Sequence, residues 1–98
     1  MSEELYEAIE KLRAELPYLR KEFDVKSVGL FGSLVRGEET EESDVDVLVE
    51  FDRPIGLFKF MELESYLSET LGAEVDLVTR DSLNPLIRPK VEGEAVYV

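Results

Sequence analysis

The most constraining feature of this 98-residue sequence is a segment of alternating apolar and polar residues that runs from Asp44 to Phe51. A period of two predicts a β-strand with one apolar face and one polar face. Asp44 and Asp46 project together from the polar face. Two like charges this close repel each other, and either a basic side chain or a divalent cation relieves the repulsion. The strand therefore predicts a half-buried sheet with an acidic position at one end, although an Asp-x-Asp pattern alone is more often a solvated strand end.

The remaining periodicities predict an α/β (α+β) fold, a small mixed β-sheet of three to four strands with helices packed on one side. We expect residues 1–98 to form a single domain. Pro17 predicts either a kink in the first helix or its division into two helices. The segment from Leu86 to Val91 is ambiguous. The predicted elements are helices at 2–23 and 57–71, strands at 25–31, 44–51 and 74–79, and a short strand or tail at 94–98.

Composition excludes several kinds of chemistry. The sequence has no cysteine and no histidine, which removes disulfides, Cys/His zinc sites and histidine-based triads. A net charge of −12 disfavours direct nucleic-acid binding, which depends on neutralising phosphates. No apolar run has the length of a membrane span, and nothing resembles a signal peptide. We therefore expect a cytoplasmic protein with no membrane association, whose chemistry uses carboxylates, hydroxyls, backbone amides and a hard metal ion.

Two further features are compatible with a phosphate and metal site. Gly32-Ser33 follows the strand predicted at 25–31, and glycine at such a turn lets a ligand approach the backbone. Asp76 lies within an otherwise apolar strand, where a carboxylate is costly unless it is paired or bound to a metal. Asp76 is either a third carboxylate beside Asp44 and Asp46 or an edge-strand residue that faces water. Three carboxylates beside a phosphate-binding turn would suit two-metal phosphoryl or nucleotidyl transfer.

The combined pattern resembles the signature of the DNA polymerase β-like nucleotidyltransferase superfamily. Leu30-Phe31-Gly32-Ser33 is followed, after ten residues, by Asp44-Val45-Asp46-Val47. The longer string, with Arg36-Gly37 and Ser43, is similar to the minimal nucleotidyltransferases. The resemblance extends over nearly the whole chain and is strongest over residues 30–51.

The resemblance implies the polymerase β-like fold and a role for each matching residue. Asp44, Asp46 and Asp76 would hold two Mg²⁺ ions, with Asp76 helping to activate the attacking hydroxyl. Gly32 and Ser33 would bind the triphosphate of ATP, and Arg36 and Ser43 would support the nucleotide site. Arg36 could instead be a structural partner for a nearby carboxylate.

Minimal nucleotidyltransferases commonly act with a toxic HEPN-domain ribonuclease, and the resemblance implies that role here. The chain would transfer AMP from ATP to a tyrosine of the toxin and so act as its antitoxin. The alternatives are neutralisation of the toxin by contact alone, and modification of a small molecule such as an aminoglycoside. A docking surface for the toxin could include Phe58, Tyr66, Leu67 or Val96-Tyr97-Val98, although each of these is more simply explained as core.

Overall fold

A computed structural model describes residues 2–98, and Met1 lies outside the described residues. The chain forms a four-stranded sheet in the order β3-β2-β1-β4, in which β2 and β3 are parallel and the other pairs are antiparallel. This confirms the predicted mixed sheet. A short 3-10 helix at Arg80–Ser82 follows β3. The other elements are α1 (Glu3–Phe23), β1 (Val25–Phe31), α2 (Ser33–Arg36), β2 (Val45–Phe51), α3 (Leu57–Leu71), β3 (Val75–Thr79), α4 (Arg88–Glu94) and β4 (Val96–Tyr97).

Helix α1 is continuous through Pro17, so the alternative of two separate helices is wrong. Proline costs one hydrogen bond inside a helix, but the buried residues Leu12 and Leu19 hold the chain against the core on either side of it. Ser2 caps the helix, because its Oγ accepts a hydrogen bond of 3.1 Å from the Leu5 amide. Asp24, in the left-handed conformation at φ 54°, ends the helix and leads into β1.

The main core lies between one face of the sheet and the two long helices, α1 and α3. Val47 and Val49 of β2 join it from the sheet, and Leu63 and Leu67 join it from α3. The apolar face predicted for the alternating strand is therefore the face that packs against the helices. Asp46 and Leu48 lie on the opposite face by the same alternation.

The C-terminal segment resolves the ambiguous part of the sequence. Helix α4 begins at Arg88, and Pro89 is tolerated because its missing N–H falls in the first turn. Strand β4 then pairs with β1 through Gly29 opposite Tyr97 and Leu30 opposite Val96. Among residues 2–98, no helix is both long enough and apolar enough to cross a membrane.

Candidate functional site

The parallel pairing of β2 with β3 places two of the predicted site carboxylates opposite each other. Asp46 is the register partner of Asp76, so both side chains leave the sheet on the same face. Asp44 precedes β2 by one residue, and the alternation assigns it to that face as well. Asp46 is half-buried, whereas Asp44 and Asp76 are exposed. Since β3 is an edge strand, Asp76 also faces water, as its alternative interpretation required.

Burial and neighbouring charge raise the pKa of Asp46. Desolvation is the largest cause, followed by the negative charges of Asp76 and Asp44, and Arg36 opposes them only in part. Such a carboxylate is under-compensated by the protein alone, which suits a divalent cation. Across residues 2–98, no three acidic side chains converge as a ready-made set of metal ligands.

The Gly32-Ser33 turn lies directly beside Asp46, because Phe31 is the register partner of Asp46 in the antiparallel pair. Gly32 has φ 79° and ψ −152°, a conformation that glycine alone adopts readily. A Cβ atom at Gly32 would lie 2.0 Å from Oδ2 of Asp46. The turn therefore needs glycine twice, once for its backbone conformation and once for the close approach of the carboxylate.

Arg36, predicted at the nucleotide site, is held by two carboxylates. Its Nη1 donates to Oε1 of Glu94 at 2.8 Å, and its Nε donates to Oε2 of Glu38 at 3.2 Å. These bonds, first that to Glu94 and then that to Glu38, raise the pKa of Arg36. The arrangement agrees with the interpretation of Arg36 as a structural partner for carboxylates.

Glu94 is a site-adjacent residue that sequence reasoning missed. Its Oε2 accepts a hydrogen bond of 2.9 Å from the Gly32 amide, while its Oε1 binds Arg36. These contacts, the Arg36 bond first, lower the pKa of Glu94. Gly32 and Glu94 lie 62 positions apart in the sequence, and no local periodicity or motif signals a contact between them.

Ser43 shapes the loop that leads to Asp44. Its Oγ accepts a hydrogen bond of 2.9 Å from the Thr40 amide, and its own amide donates to the Thr40 carbonyl at 3.0 Å. A cavity of about 280 Å³ between α1 and this loop is lined in part by Ser43 and Asp44. A larger cavity of about 380 Å³ lies at the other end of β2, around residues 49–55 and 79–81.

The residues considered for toxin docking differ in exposure. Leu67 is fully buried, and Tyr66 packs against the core with its hydroxyl bonded to Glu15. Both residues are therefore explained by packing in the core. Phe58 is 85% exposed. Tyr97 is about half exposed, with one side of its ring against Gly29.

Comparison with known proteins gives a consistent result. The nucleotidyltransferase domain family matches residues 9–98. The protein adenylyltransferase MntA of Thermococcus cleftensis is 51% identical over 87 residues, which span 89% of this chain and 88% of that protein. A solved structure described as a minimal nucleotidyltransferase has a TM-score of 0.73 and 36% identity, and the match covers 90% of this chain and 93% of the other. A toxin–antitoxin structure with AMP-PNP has a TM-score of 0.68 and 25% identity over 98% of this chain and 72% of the other.

Proposed function

This chain belongs to the nucleotidyltransferase domain family, and from that premise we propose that it transfers AMP from ATP to a tyrosine hydroxyl of a HEPN-domain toxin and so acts as the toxin's antitoxin. The adenylyltransferase name of its 51% identical relative supports AMP as the transferred group. The similar toxin–antitoxin structure that contains AMP-PNP supports both the nucleotide and the class of partner. The structural observation that carries the proposal is the register pairing of Asp46 with Asp76 beside the Gly32 turn.

Nucleotidyltransferases of this family generally use a divalent metal, and the donor set here suits Mg²⁺, which prefers carboxylate oxygens. In the proposal, Asp44, Asp46 and Asp76 hold two Mg²⁺ ions. When bound, such ions polarise the phosphate and stabilise the charge that develops on the attacking and leaving oxygens. The under-compensated charge on Asp46 supports this assignment.

The chain's own residues supply binding and proton transfer. Gly32 and Ser33 bind the triphosphate, and Arg36 and Ser43 support the turn and the loop around it. The acceptor hydroxyl forms a new bond to the α-phosphorus of ATP, the bond from that phosphorus to the bridging oxygen breaks, and pyrophosphate leaves. Asp76 accepts the proton of the hydroxyl, since it is the more exposed of the two paired carboxylates, Asp46 and Asp76.

The proposal treats residues 1–98 as one catalytic domain that acts in the cytoplasm, where ATP and a newly made toxin are both present. The sheet combines strands from both halves of the chain, which supports a single unit. The net charge of −12 supports a protein acceptor over a nucleic-acid acceptor.

The decisive experiment incubates the chain with MgATP labelled at the α-phosphate and the co-encoded HEPN protein, followed by intact-mass spectrometry. We expect the toxin to gain one or more AMP units, and Asp46→Asn to abolish the gain. Asp52→Asn is the matched control, because Asp52 is an exposed aspartate at the opposite end of β2. Full protection of cells by an Asp44→Asn, Asp46→Asn variant would instead establish neutralisation by contact, and label on an added aminoglycoside would establish a small-molecule acceptor.

A further inference from the structure

We propose that Glu94 is a positioning residue for ATP binding. Its carboxylate holds the Gly32-Ser33 turn and Arg36 in place before the nucleotide binds. The inference rests on the proposed function, because it assumes that this turn binds the triphosphate. It adds a residue from the C-terminal segment to a site otherwise formed by residues 32–76.

The contacts of Glu94 connect the Gly32 turn, which the proposal places around the phosphates, with Arg36, which supports that turn. One carboxylate oxygen accepts from the Gly32 amide at 2.9 Å, and the other accepts from Arg36 at 2.8 Å. The Glu94 side chain is only 18% exposed, whereas Glu38, the other partner of Arg36, is 64% exposed. Water screens the Glu38 pair more strongly, so the Glu94 pair contributes more to holding the guanidinium.

Strand β1, which leads into the Gly32 turn, also fixes the position of Glu94 by pairing with β4. Glu94 is the last residue of α4, and the next residue, Ala95, donates to the Val91 carbonyl at 2.9 Å to close the helix. Strand β4 then pairs with β1, and the Val98 amide donates to the Val28 carbonyl at 3.0 Å. The carboxylate and the turn are therefore fixed to the same strand, which favours a permanent support over a segment that must leave for ATP to bind.

The turn needs such a support because of its glycine. Glycine gives the free chain more conformations than any other residue, so a binding turn built on it must be fixed by contacts. Gly32 lies between Asp46, which approaches its Cα, and Glu94, which binds its amide. Groups that are fixed in advance bind a charged ligand without the cost of reorganisation.

The opposite role would be competition, in which Glu94 occupies the Gly32 amide and Arg36 in place of a phosphate. The two roles predict opposite changes when the carboxylate is removed. Positioning predicts weaker ATP binding, and competition predicts tighter binding.

The test compares Glu94→Ala and Glu94→Gln with Glu92→Ala and Glu92→Gln. Glu92 is the matched control, because it lies on the same helix and pairs with Arg80 at 2.6 Å, away from the turn. The measurements are KM and kcat for AMP transfer to the co-encoded HEPN protein, AMP-PNP affinity by titration calorimetry with Mg²⁺, and the melting temperature. We expect Glu94→Ala to raise KM for ATP and weaken AMP-PNP binding about ten-fold, the effect of one lost charge-assisted hydrogen bond, with a smaller change in kcat.

Glu94→Gln should fall between Glu94→Ala and the wild type, since its amide oxygen still accepts from Gly32 while the charge opposite Arg36 is lost. Glu94→Gln also provides the test if Glu94→Ala does not fold.

A lower KM or tighter AMP-PNP binding in either Glu94 variant would overturn the proposal in favour of competition. Equal affinities in the Glu94 and Glu92 variants would overturn it in favour of a purely structural contact. Wild-type protein that binds AMP-PNP but transfers no AMP would contradict the proposed function, while the binding comparison would still decide the role of Glu94.

Discussion

Asp46 is the residue at which the candidate site and the stability of the fold conflict. Its carboxylate is half-buried beside two other negative charges, and its pKa is raised for that reason. An aspartate whose pKa is raised by folding costs no stability at pH values below its ordinary pKa; the cost grows as the pH rises between the two pKa values and is complete above the raised one. A divalent cation would remove the same cost by binding.

We therefore expect Asp46→Asn to raise the melting temperature of the metal-free protein at pH 7, while it abolishes AMP transfer. The gain should shrink as the pH falls towards 4, because the wild-type carboxyl group then becomes protonated as well. Thermal unfolding in EDTA at several pH values measures the effect. Asp52→Asn should show no gain, and a clear loss of melting temperature in Asp46→Asn at pH 7 would contradict the argument.

Gly32 provides a second prediction at this scale, with Gly37 as its control. Both glycines have positive φ, but a Cβ at Gly37 meets nothing within 4 Å, whereas one at Gly32 meets Asp46. Gly37→Ala should cost about 1–2 kcal/mol of stability from backbone strain alone. Gly32→Ala should cost about 1–3 kcal/mol more than Gly37→Ala, because its backbone at ψ −152° is less accessible to alanine than the left-handed helical conformation of Gly37 and because the Asp46 carboxylate is displaced, and it should also abolish AMP transfer. Chemical denaturation of both variants gives the difference, and equal losses would show that neither the Gly32 backbone conformation nor the Asp46 contact adds to the cost.

At the scale of elements, local periodicity predicted the strands and the long helices. The alternation at 44–51 and the apolar stripes of α1 and α3 identify strands and helices because each buries one face. The same patterns brought Asp44 and Asp46 to one face. The pairing of Asp46 with Asp76 depends on the parallel register of β2 with β3, and the contact of Glu94 with Gly32 depends on where α4 ends. Neither is encoded within one element, so the residues alone left the first open between a third carboxylate and an edge-strand aspartate, and they gave no sign of the second.

Helix α1 offers a prediction about Pro17, which is exposed within an otherwise regular helix. Pro17→Ala restores the missing N–H donor and removes the clash of the ring with the preceding turn. It should raise the free energy of unfolding by up to about 3 kcal/mol, measured by urea denaturation. Lys11→Ala is the control. It replaces one good helix former by another at an exposed position, so the free energy of unfolding should hardly change. An unchanged or lower stability of Pro17→Ala would show that the helix has already adapted to the proline.

At the scale of the whole molecule, the composition of the core predicts a fold that forms without a metal ion. The core between the sheet and the two long helices consists of aliphatic and aromatic side chains, none of which is a candidate ligand. The protein should therefore unfold cooperatively in EDTA, with a well-defined melting temperature. MgATP should raise that temperature, because a ligand at one hundred times its Kd stabilises the native state by about 2.7 kcal/mol.

The increase should be absent in the Asp44→Asn, Asp46→Asn variant, and differential scanning fluorimetry with and without MgATP measures both results. A protein that is unfolded in EDTA would mean that the carboxylates are part of the structural core. An equal increase in the variant would mean that MgATP binds elsewhere.

Strand β4 consists of only two residues, yet it lies against β1, which was synthesised some seventy positions earlier. Residues 94–97 must therefore be synthesised before the edge of β1 can be covered and the Gly32 amide can meet its carboxylate. A nascent chain that lacks these residues should consequently leave the edge of β1 uncovered and the Gly32 turn without its C-terminal support.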